Sequence, residues 1–208
     1  MFFRIKINFG GDMSNKAIFW KNLSMVIVVV LMGALLIASY FIPVMKPSET
    51  YRVDGVDKNY SCRDVVVAMN ATDIEDLSTA QVEALFAVSE SEGTAGKLIR
   101  VVGVLGMINA MIGAAILICA IATIILRNNN ILRVAAIAFA IAALAVSIAM
   151  IALICSYLGI VTESTHPYAF YYSVGASSFV MLGASLFAGT GSWFLGFFDR
   201  FGANDIKA

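Results

Sequence analysis

The sequence predicts an all-α membrane protein: a four-transmembrane-helix bundle, both termini inside, with a long first extracellular loop holding a β-hairpin and short helices. Three observations lead there. Of 208 residues, 60% are hydrophobic and 13% charged, where an ordinary soluble domain is about half apolar and about a quarter charged. Four charge-free stretches are each long enough to cross hydrocarbon about 30 Å thick at about 1.5 Å per residue. The basic residues, finally, gather on the segments that this fold places inside.

The order of elements follows from those stretches. Residues 1–22 form a cytoplasmic segment, 23–42 the first span with Pro43 as its stop, and 43–100 the extracellular cap. The second span is 101–126, bracketed by Arg100 and Arg127, and 127–133 is a cytoplasmic link. The third span is 134–160, an outer loop covers 161–171, the fourth span is 172–198, and 199–208 is a cytoplasmic tail. The first span is longer than the h-region of about 7 to 15 residues in a signal peptide and ends in no A-x-A cleavage site, so it reads as retained. Gly10, Gly11, Asp12 and Met13 can be encoded as GGA-GGU-GAU-AUG, a purine-rich ribosome-binding sequence with a start codon. On that reading Met13 is the start, residues 1–12 are leader and the source is bacterial; chance codon usage is the alternative.

A net charge of zero, from 14 basic and 14 acidic residues, gives no whole-chain argument for nucleic-acid binding. It conceals a split. Eight basic groups against three acidic ones fall inside (Arg4, Lys6, Lys16, Lys21, Arg127, Arg133, Arg200 and Lys207), and six against eleven fall outside. The aromatic residues agree, with Trp20 and Trp193 at the inner boundary and Tyr40, Phe41, Tyr157 and Tyr172 at the outer one. The expected location is the cell membrane, and the expected partners are the bilayer and other membrane subunits or a second copy.

Inside lipid, helices associate through close packing and interhelical hydrogen bonds, so small residues at regular spacing mark contact faces. The third span carries Ala135, Ala138, Ala142, Ala145, Ala149 and Ala152, a heptad-like stripe that predicts a close left-handed crossing. The second offers Gly103, Gly106, Ala110 and Gly113 at the same spacing. The fourth has Ala184, Ala188, Ser192 and Gly196 four residues apart, which favours a right-handed crossing. A pore lining is the alternative use of such stripes. Asn109 lies on the second span's seam and is expected to hydrogen-bond across it, with Ser147 and Ser185 as partners at similar depth; a substrate contact is the other reading.

Composition argues against most chemistry. No Asp, Glu, Lys, Arg or His lies in the four span cores, which weighs against proton pumps, voltage sensors and carriers of charged substrates. One histidine, His166, is too few for a bis-histidine haem. Cys62, Cys119 and Cys155 are too far apart for a redox pair, and no zinc signature, P-loop or GxSxG elbow is present. No catalytic residue, cofactor or metal site is therefore expected. The outer carboxylates Asp64, Asp73, Asp76 and Glu83 are the remaining handle for an enzyme acting on lipid.

The cap is where recognition is expected. Asp54 and Gly55 suit a two-residue hairpin turn that sets Val53 opposite Val56 and Tyr51 opposite Lys58. Thr72 with Glu75 and Ser78 with Gln81 both match the capping box, the second ahead of an apolar stripe of Val82, Leu85, Phe86 and Val88. Tyr51, Val53, Val56, Val82, Leu85 and Phe86 together form the expected partner surface. Asn59-Tyr60-Ser61 and Asn70-Ala71-Thr72 are glycosylation triplets that matter only in a eukaryotic source.

Four spans, both ends inside, a long first outer loop and a shorter second one resemble the claudin-like tetraspan arrangement. The resemblance is one of topology: the Trp-rich first loop, its Gly-Leu-Trp run and its two cysteines are missing, and no claudin function is carried over. Two functions remain in view. One is a non-enzymatic interaction or accessory subunit using the cap and the small-residue faces; the other is a channel or carrier for a small uncharged solute.

Overall fold

The computed structural model describes residues 13–47, 59–89, 94–125, 130–163 and 172–204. The chain is mostly helical. Among these residues run four long helices, α1 (Met13–Ser39), α4 (Thr94–Ile125), α5 (Asn130–Glu163) and α6 (Ala176–Asn204), and two short ones, α2 (Cys62–Asn70) and α3 (Thr79–Ser89). Two stretches, Thr94–Thr123 in α4 and Ile131–Ile160 in α5, are long and apolar enough to cross a membrane, and Leu23–Ser39 in α1 is a shorter apolar segment.

The long helices pack in a ring, α1 against α4 and α6, and α5 against α4 and α6. Large side chains fill the middle: Val29, Leu36, Ile99, Ile116, Met150, Ile154 and Met181 are all buried. Where α1 and α4 cross, Gly33 faces Gly113. A Cβ on Gly113 would stand 2.7 Å from the Leu36 Cβ and 2.9 Å from the Gly33 carbonyl oxygen, so a side chain there would force the helices apart.

One end of the bundle is tied by a small antiparallel sheet in the order β2-β1-β3, formed by β1 (Pro43–Pro47), β2 (Tyr60–Ser61) and β3 (Tyr172–Val174). Helix α1 stops in a tight turn, with Tyr40 N–H donating to the Ile37 carbonyl (3.2 Å) and Phe41 N–H to that of Ala38 (3.0 Å), before Pro43 opens β1. Gly175 follows β3 and donates its N–H to the Val44 carbonyl at 2.8 Å. A Cβ on Gly175 would collide with the backbone of Pro43 and Val44, so only glycine allows this approach. Ser177 Oγ donates to the Ser39 carbonyl at 2.6 Å, joining the same two helix ends.

Several expectations are corrected. Residues 172–174, expected inside the fourth span, pair instead as a strand with β1: Met45 lies opposite Val174 and Lys46 opposite Ser173. Helix α4 begins at Thr94, ahead of the expected second span, and covers that span to Ile125, while α5 contains all of 134–160 between Asn130 and Glu163. Thr72 and Glu75 start no helix; residues 71–78 are extended or turn. Helix α2 starts instead at Ser61, whose side chain caps the Asp64 N–H while the Asp64 carboxylate accepts from the Ser61 N–H at 2.8 Å. That box stabilises by about 1 kcal/mol a helix whose valine run has weak helical propensity. The expected hairpin, with Tyr51, Val53 and Val56, lies outside the described residues.

Candidate functional site

Mid-bundle, α4 and α5 are joined by the Asn109 Nδ2, which donates to Ser147 Oγ at 3.1 Å. Ser147 in turn donates to the Ala143 carbonyl one turn back at 2.7 Å. Both residues are fully buried, and the Asn109 Oδ1 has no partner among the described residues. A buried polar side chain costs free energy unless it is hydrogen-bonded, and this bond requires Ser147 to face the interior. Ser185, the other expected partner, bonds locally to the Leu182 carbonyl at 2.9 Å.

With Ser147 turned inward, the buried face of α5 is Ala136, Ala140, Ala143, Ser147, Met150, Ile154 and Tyr157. Its spacing is the same 4-3-4-3 heptad as the expected alanine seam, displaced by two residues, or about 200° around the helix. The expected alanine stripe lies on the other face: Ala138, Ala142, Ala145, Ala149 and Ala152 are exposed in the single chain, together with Ser156 and Gly159 further along the same line. Helix α5 thus has two small-residue edges, and its neighbours cover only one. The bundle interior needs the volume of Met150, Ile154 and Tyr157, which the alanine stripe cannot supply.

The glycine seam of α4 is buried, and the atoms nearest its glycines come from α2 and α1, with Met150 of α5 further off at Gly106. A Cβ on Gly103 would stand 2.7 Å from Val65 Cγ1, and one on Gly106 would stand 2.5 Å from both Cβ and Sγ of Cys62. Helix α2 of the cap therefore lies directly on Gly103 and Gly106, and α1 lies on Gly113. Of the α6 positions, Ala184 and Ala188 are buried in the bundle. Ser178, Ser185 and Ser192 repeat every seven residues and are buried too, with the hydroxyls of Ser178 and Ser192 unpartnered among the described residues.

In the cap, Ser78 and Gln81 form the expected box at the start of α3, with the Ser78 N–H donating to Gln81 Oε1 at 2.9 Å. The helix buries Ala84 and Val88, with Leu85 packed against the core, Val82 half-buried and Phe86 exposed. The stripe is thus turned from the expected one by the fit of Ala84. Cys62 is fully buried, and burial and the nearby Asp64 push its thiol up to about 12. The Asp64 carboxylate is occupied by the Ser61 N–H and hydroxyl, the latter at 2.7 Å. Among the described residues, no three His, Cys, Asp or Glu groups lie close enough to hold a metal ion.

Among the described residues the arrangement offers close packing surfaces and a few buried hydrogen-bonding groups. No family model, curated protein or solved structure matches the chain, so function must be argued from these surfaces.

Proposed function

We propose that the protein crosses the cell membrane four times, through α1, α4, α5 and α6 with both ends inside, and serves as a non-enzymatic interaction subunit that docks membrane helices. Support for four crossings comes from apolar side chains exposed on every long helix: Leu31 on α1, Met111 and Ile118 on α4, Ile141 and Ile148 on α5, Phe179 and Phe187 on α6. In water such a belt would far exceed the few hundred Å² of apolar patch that soluble monomers expose. The basic groups of 1–22, 127–133 and 199–208 favour the inside for those segments.

The interaction reading rests on the outward edge of α5. Lipid contact needs no particular residue size, whereas a helix partner gains dispersion contact only where backbones approach closely. An exposed line of Ala138, Ala142, Ala145, Ala149 and Ala152 in heptad register, extending to Ser156 and Gly159, suits another membrane helix. Purification in mild detergent tests this. The wild type should emerge as an oligomer or with a partner subunit, and Ala142→Leu with Ala149→Leu should convert it to a stable monomer. A wild type that is already a lone monomer would contradict the reading.

The unpartnered Asn109 Oδ1 and the Ser178 and Ser192 hydroxyls favour a second reading, a channel or carrier for a small uncharged solute. Flux of water and small hydroxylic solutes through reconstituted vesicles tests it, and wild-type flux equal to that of empty vesicles removes it.

A further inference from the structure

At the outer end of α1, Phe41 stands in the turn before β1 and is 57% exposed. Tyr40 packs edge-on against it, centroids 5.3 Å apart at 79°. Arg63, in the first turn of α2, donates its backbone N–H to the Tyr40 carbonyl at 3.2 Å, which fixes α2 beside this turn. Its guanidinium lies over the Phe41 ring, 5.8 Å from the centroid. The carboxylate next to it in sequence, Asp64, is held by Ser61, and Arg63 forms no ion pair with any described residue. An exposed aromatic ring thus holds a cation whose N–H groups lack a protein acceptor among the described residues.

From this geometry we infer that Phe41 and Arg63 form a binding site for the phosphodiester of a phospholipid headgroup in the outer leaflet. The inference rests on the proposed membrane crossing of α1, whose apolar run ends at Ile42. That ending places Phe41 at the level where aromatic side chains sit between hydrocarbon and headgroups. A planar guanidinium offers phosphate two parallel hydrogen bonds. The cation–π contact with Phe41 restricts the arginine before the lipid arrives, reducing the ordering cost of binding. The neighbouring Tyr40 and Phe41 rings provide apolar surface for the glycerol and upper acyl chain.

Native mass spectrometry of the detergent-purified protein, titrated with phosphatidylglycerol, phosphatidylcholine or inorganic phosphate, tests the site. Both lipids should bind the wild type, phosphatidylglycerol more tightly, with inorganic phosphate failing to displace them. Arg63→Gln should weaken lipid binding about tenfold, the loss of one charge-assisted pair. Arg63→Lys should retain part of it, and Phe41→Ala should weaken it about threefold. Thermal unfolding of each variant in the same detergent should match the wild type, which separates lost binding from lost fold. Equal lipid occupancy in wild type and Arg63→Gln would overturn the site, and displacement by inorganic phosphate would reassign it to the free anion. Release of the wild type from membranes by alkaline carbonate would instead overturn the crossing reading beneath it.

Discussion

Cys62 of the cap lies against Gly106 of α4 so closely that a Cβ at position 106 would stand 2.5 Å from the cysteine's Cβ and Sγ. The contact joins the short α2 to α4, a helix long and apolar enough to cross a membrane, and it fixes the height at which α2 sits. Gly103 under Val65 repeats the contact one turn away. Gly106→Ala should therefore push α2 off α4 and destabilise by about 1–3 kcal/mol, the usual cost of overpacking. Thermal unfolding in detergent measures it, and an unchanged midpoint would mean that the cap is loosely held.

The same contact governs thiol chemistry. The Cys62 thiol is pushed up to about 12 by burial, so it stays protonated from pH 7 to pH 9, where an ordinary cysteine becomes largely thiolate. A membrane-impermeant maleimide added outside should leave Cys62 unmodified across that range and label it only after denaturation. Rapid labelling of Cys62 in the folded protein at pH 8 would contradict its burial. Linkage has a definite sign: because the folded thiol titrates above the unfolded one, its contribution to stability is full below the unfolded value and declines as pH rises from there towards about 12.

Asn109→Leu removes the bond to Ser147 but leaves that hydroxyl bonded to the Ala143 carbonyl. The expected loss is about 0.6–2 kcal/mol, the range for an interhelical hydrogen bond in lipid. Unfolding midpoints of the Asn109→Leu, Ser147→Ala and double variants form a cycle that isolates the pair. A coupling of zero would show that the two side chains act independently.

Ser61→Ala removes the oxygen that caps the Asp64 N–H and frees the Asp64 carboxylate, so α2 should lose about 0.5–2 kcal/mol. Hydrogen exchange should quicken at the amides of Arg63 and Asp64. Protection equal to wild type would mean that packing of Cys62 and Val65 alone holds the helix.

The sequence made the long helices legible because charge-free runs of this length have few other uses, and it made the Asn109–Ser147 bond legible because a buried amide needs a partner. It did not reveal which heptad of α5 faces inward. The two stripes have identical spacing and lie on opposite sides, so periodicity cannot choose between them; the choice follows from interior volume and from Ser147. The three-stranded sheet was hidden for another reason. Its strands are two to five residues long and come from segments more than a hundred residues apart, Pro43–Pro47 and Tyr172–Val174. The Ser61 box departs from the S/T-x-x-E/Q pattern because aspartate replaces the usual Glu or Gln at its third position.

The outward alanine edge of α5 carries the functional account, and photo-crosslinking in intact membranes tests it directly. A photoreactive side chain placed singly at 142, 145 or 149 should give discrete protein adducts, whereas the same group at 140 or 143, on the covered face, should give only links within the chain. Adducts to lipid alone from 142, 145 and 149 would contradict the account, leaving α5 as an ordinary lipid-facing helix.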